Sequence, residues 1–167
     1  MEPTAVLATI AELAIAFAGF SGIVSALGRR EEGAAFPEDR IRLAVLVAAS
    51  LSTAGFALLP FLLWEVAAPP ERVWALSSAL YVPYALTALL VGNRFGRRAR
   101  DEDPGMDQRV SQLPQRVSTY VGFPLVIGLQ IANALTWWRF TPFLVALLWG
   151  LVGAAIGFGG LVRAIHR

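Results

Sequence analysis

The sequence has no cysteine and no lysine, and only one histidine and two methionines among its 167 residues. Without cysteine there can be no disulfide, thiolate metal site or cysteine nucleophile. The sole histidine, His166, stands near the C-terminal end, far from any serine that could use it as a base. No HExxH pair, acidic metal set or phosphate-cradling glycine loop occurs outside the apolar runs, so no catalytic residue, cofactor or metal is predicted. Charge is scarce as well: 16% of residues are charged and 56% hydrophobic, a balance foreign to water-soluble domains.

What is present is length of apolar chain. Runs at about Thr4–Leu27, Ile41–Val66, Val73–Gly92, Val117–Trp137 and Pro142–Val162 each match the roughly 20 residues that cross a hydrocarbon core as a helix. The expected fold is therefore all-α, a single polytopic transmembrane bundle over residues 1–167 with five crossings. The first run follows Met1-Glu2-Pro3, which has no basic residue, so it reads as a mature helix rather than a secretory signal. The fourth run is interrupted by Gly122, Pro124, Gln130 and Asn133, and a re-entrant segment in its place would leave four crossings.

All fourteen basic residues are arginine. With five crossings, twelve fall on one side, among them those of the polar stretch 93–116, and only Arg72 and Arg139 on the other. The positive-inside rule then puts the N-terminus outside and the C-terminus in the cytoplasm. Trp64, Trp74, Trp137 and Trp138 fall at the outer interface, as an aromatic belt does. The re-entrant alternative splits the arginines eleven to three and turns the C-terminus outward. Stretch 93–116 reads as a cytoplasmic loop. Its arginines are balanced by acids to a chain total of +2, which argues against nucleic acid and leaves anionic lipid headgroups as a partner for the loop.

Two helix faces stand out. In the last run, Ala146, Gly150, Gly153, Gly157, Gly160 and Ala164 recur at spacings of 4, 3, 4, 3 and 4, a seam of the two smallest residues. Such a seam predicts close packing against another helix, within the chain or across a homo-oligomer. In the first run, Leu13, Phe17, Phe20, Val24 and Leu27 form one stripe expected to face lipid. Ala14, Ala18, Gly22 and Ala26, with the row Glu12, Ala16, Gly19 and Ile23, form small-residue rows expected to face protein. Pro60 and Pro83 predict kinks in the second and third helices.

Glu12 is the one charged residue deep inside its run. Counting depth from the outer surface brings Gln130, Tyr81 and, one turn nearer the surface, Asn133 to its level, which predicts a buried polar layer. A carboxyl group without water or countercharge favours its neutral form, so Glu12 is expected to donate to Gln130 or Asn133. Two roles compete: a hydrogen-bonded strut between the first and fourth helices, and a proton- or cation-responsive site of a small channel or carrier. Gly19-Phe20-Ser21-Gly22 resembles the nucleophile turn of rhomboid intramembrane proteases, but Ser21 has no base within reach and helix packing explains the motif better.

The stretches AELAIAFAGFSGIVSALGRR, from Ala11 to Arg30, and EDRIRLAVLVAASLSTAGFALLPFLL, from Glu38 to Leu63, resemble a group of small uncharacterised bacterial integral membrane proteins. These pair a Glu-led first helix ending in Gly-Arg-Arg with a DRxRL start to the second. The resemblance covers about the first 65 residues and the layout of the rest. It implies a bacterial inner membrane and carries no functional residues. The function expected is that of a non-enzymatic membrane protein, an accessory or assembly subunit; the alternative is a homo-oligomeric proton or cation channel.

Overall fold

The computed structural model describes residues 2–32, 37–66, 69–102 and 118–165. Every regular element among them is helical: α1 (Pro3–Glu32), α2 (Pro37–Glu65), α3 (Pro70–Glu102), a π-helical turn π1 (Ser118–Gly122), α4 (Phe123–Ala132), a second π-helical turn π2 (Asn133–Trp137) and α5 (Phe140–Ile165). Among the described residues five stretches are long and apolar enough to cross a membrane: Pro3–Val24, Leu43–Glu65, Arg72–Arg94, Tyr120–Trp137 and Phe140–Gly159. By length and composition the chain is a multi-pass membrane protein.

The helices outrun their apolar windows. α1 continues through Arg29, Arg30 and Glu32, and α3 continues to Glu102, ten residues into the stretch read from sequence as a loop. The additions are rich in arginine and glutamate, residues that favour helix, so leaving lipid does not end the helix. Residues 103–117, the remainder of the Arg-rich loop, lie outside the described residues, as do His166 and Arg167. Pro60 and Pro83 sit inside α2 and α3, which run on past them. The Thr87 hydroxyl donates to the Pro83 carbonyl at 2.8 Å and the Thr53 hydroxyl to the Ala49 carbonyl at 2.9 Å. Such back-bonds satisfy hydroxyls inside apolar helices.

Two compact units make up the chain. The first comprises residues 1–68 and 144–167. Leu46 of α2 and Ala154 of α5 form a small buried core there, with Phe17 and Val24 of α1, Leu43 of α2 and Phe158 of α5 packed around it. The Phe17 and Phe158 rings lie 6.2 Å apart and tilted by 57°. This divides the stripe expected to face lipid: Leu13 and Phe20 are exposed, whereas Phe17 and Val24 turn to protein because α5 supplies an aromatic partner. The buried positions of α1 are Leu7, Ile10, Ala11, Ala14 and Ser21, at the three- and four-residue steps of one helix face.

The second unit comprises residues 69–143. Val73, Ser77, Tyr81 and Ala85 are buried at successive four-residue steps of α3, together with Ser78. Val126, Ile127, Gln130 and Asn133 are the buried positions of α4 and the start of π2. Trp74 packs on Phe140 at 5.0 Å and on Phe143 at 6.3 Å between ring centroids. These contacts hold the first turn of α5 in this unit.

Candidate functional site

Amide side chains organise the end of the fourth apolar stretch. In π2 the Trp138 N–H donates to the Asn133 carbonyl at 3.0 Å, the i to i+5 step of a π turn, and Trp138 itself has φ of 52°. A tryptophan in the left-handed region costs about 1 to 2 kcal/mol, so the surrounding structure must hold it there. Asn133 does so. Its Oδ1 accepts from the Arg139 N–H at 2.8 Å and its Nδ2 donates to the Arg139 carbonyl at 3.0 Å, gripping the backbone of one residue on both sides of its Cα. Nδ2 also donates to the Ser78 hydroxyl at 2.8 Å, which ties the turn to α3.

One turn earlier, Gln130 Nε2 donates to the Pro142 carbonyl at 2.8 Å. Its Oε1 has no hydrogen-bond partner, nor do the hydroxyls of Ser77 and Ser50. Gln130 and Asn133 are both fully buried. Tyr81 is buried on the same face of α3 as Ser78, with its ring 5.8 Å from that of Tyr84. The structure thus brings Gln130 and Asn133 together with Ser78, Arg139 and Pro142. Three of those partners were not legible as site residues. Two contribute only backbone, and the signal that points to them is the two-residue link between Trp137 and Phe140.

Glu12 departs from expectation. It was expected in a buried layer as a donor to Gln130 or Asn133, yet its side chain is exposed on the outer face of α1. The amide donors of Gln130 and Asn133 are bonded within the second unit, to the Pro142 carbonyl at the start of α5, the Ser78 hydroxyl of α3 and the Arg139 carbonyl. The row expected to face protein is exposed along with Glu12: Ala16, Gly19 and Ile23 lie open, and nothing stands within 4 Å of where a Cβ of Gly19 or Gly22 would be. The Ser21 hydroxyl donates to the Phe17 carbonyl of its own helix.

The glycine seam of α5 also divides. A methyl group at Gly150 would collide with the Thr53 hydroxyl of α2, and one at Gly157 would press on Leu46 Cδ1 at 3.3 Å. Ala146 and Ala154 are fully buried. Gly153 meets nothing. The surroundings of Gly160 and Ala164 lie outside the described residues. So Gly150 and Gly157 seat α5 on α2 inside the first unit, and of the glycines whose surroundings are described only Gly153 of the seam is left open.

Among the described residues no three histidine, cysteine, aspartate or glutamate side chains gather where they could hold a metal ion. Comparison with protein families, curated proteins and solved structures gives no match.

Proposed function

We propose that this chain is a non-enzymatic protein of the bacterial inner membrane that serves as an accessory or assembly subunit, engaging another membrane segment through the Glu12 face of α1. It crosses five times, with the N-terminus outside and the Arg-rich segment in the cytoplasm beside anionic lipid headgroups. Five stretches of spanning length and the one-sided arginine distribution support the layout. The observation that carries the function is the outward position of Glu12 in the middle of an apolar span. A carboxyl group facing hydrocarbon is costly by several kcal/mol, and proteins keep such a group where something covers it.

Photo-cross-linking in living cells tests this. A benzophenone amino acid at position 16, on the exposed face, is expected to give a discrete adduct that Glu12→Gln weakens. The same reagent at position 62, also exposed but on α2, is expected to give none. Absence of an adduct at 16, or equal adducts at both positions, overturns the reading.

A second reading, a homo-oligomeric proton or cation channel, draws on the same residue: an outward Glu12 would line a path between copies rather than within one. Glu12-dependent proton flux into proteoliposomes favours it over the first.

A further inference from the structure

We propose that the Glu12 face docks a membrane helix of a different protein, one that carries an arginine, lysine or histidine at mid-membrane depth. The inference rests on the accessory-subunit reading and names the chemistry of the partner. Glu12 stands nine residues after the start and twelve before the end of the 22-residue span Pro3–Val24. At 1.5 Å per residue that is about 14 Å and 18 Å of helix, close to the centre of a core about 30 Å thick. A glutamate side chain is too short to reach either interface from there, so its hydrogen bonds and any countercharge must come from whatever lies against this face.

Charge complementarity selects the occupant. In the described spans the arginines stand at the ends: Arg72 and Arg94 bracket the third, and Arg139 follows the fourth. A second copy of the chain therefore brings no cation to the depth of Glu12. A foreign helix with a basic residue at that depth supplies both donor and charge. The neighbours of Glu12 suit such a helix. Ala8, Ala16 and Gly19 are exposed one or two turns away on its side of α1, and the open space beyond Gly19 allows close backbone approach around the pair.

The test uses the full chain in zwitterionic lipid vesicles, with a donor dye on a cysteine placed at Glu65, an exposed position in a sequence with no cysteine of its own. The probes are two acceptor-labelled synthetic Leu/Ala transmembrane peptides, one with a single central arginine and one with leucine there. Energy transfer is expected to show the arginine peptide binding about tenfold more tightly than the leucine peptide, and Glu12→Gln is expected to erase that preference. Gly19→Leu, whose Cβ would meet nothing within 4 Å, is expected to weaken both peptides by blocking approach.

Equal binding of the two peptides, or a preference that survives Glu12→Gln, overturns the proposal. So does Glu12-dependent energy transfer between differently labelled copies of the chain, which would make the occupant a second copy. If position 16 still cross-links in cells while the peptide preference is absent, the docking reading stands and only the basic partner is wrong.

Discussion

Asn133 and Glu12 are both strongly polar groups in apolar spans, yet their surroundings differ in kind. Asn133 is fully buried, and its amide meets the Ser78 hydroxyl and both the N–H and the carbonyl of Arg139, so donors and acceptor are used inside its own unit. Glu12 lies on an outer face whose neighbours are alanine, glycine and isoleucine. A polar group satisfied from within specifies the fold, because each bond fixes one element against another. One turned outward contributes little to that fold and is kept for what it meets. The two sites therefore predict opposite responses to removal of their polarity.

The largest effect on stability is expected at Asn133. Asn133→Leu keeps the size of the side chain but removes three hydrogen bonds, leaves the Arg139 backbone without its clamp, and frees Trp138 from the turn that holds its left-handed backbone. At about 0.5 to 1.5 kcal/mol for each bond, and toward the low end between membrane helices, the loss should be about 2 to 3 kcal/mol. Reversible unfolding in mixed detergent micelles measures it. A loss no greater than that of Glu12→Gln would erase the distinction between the two sites.

A smaller effect sharpens the same contrast between inward and outward faces on α5. Gly150→Ala drives a methyl group onto the Thr53 hydroxyl, which cannot swing aside without giving up its bond to the Ala49 carbonyl. About 1 to 2 kcal/mol of destabilisation is expected. Gly153→Ala, with nothing in its way, should stay within about 0.5 kcal/mol of the parent. Equal losses at the two glycines in the same unfolding assay would mean that the seam is read by one partner along its whole length.

These pairs also mark how far the sequence could be read. Five spans were legible because a run of about 20 apolar residues announces itself without any tertiary knowledge. The extensions of α1 to Glu32 and of α3 to Glu102 were not, since polarity reports where lipid ends and says nothing about where the helix does. The small-residue seam of α5 was visible as a spacing, but a 3.6-residue period cannot say which side of the stripe meets a neighbour. That depended on Thr53 and Leu46, about a hundred residues earlier. Gln130 and Asn133 were recognised as a pair with polar needs. Two of their three partners, Arg139 and Pro142, offer only backbone groups a few residues further along the chain, and no residue type announces these; the third, Ser78, is one of many small residues on α3.

The smallest expected change in stability is at Glu12, and it is the most informative. Glu12→Gln preserves shape and hydrogen-bonding capacity while removing the acid, and the side chain is exposed, so no internal contact is lost. Unfolding should shift by less than about 0.5 kcal/mol. A shift comparable with that of Asn133→Leu would mean that Glu12 is bonded inside the folded chain and holds it together. A silent substitution in the isolated protein, combined with lost cross-linking at position 16 in cells, would place the cost of carrying a carboxyl group through the membrane on an interaction with another chain. A residue that destabilises nothing when neutralised, yet is carried at mid-span against its solvation cost, has its use outside the fold that displays it.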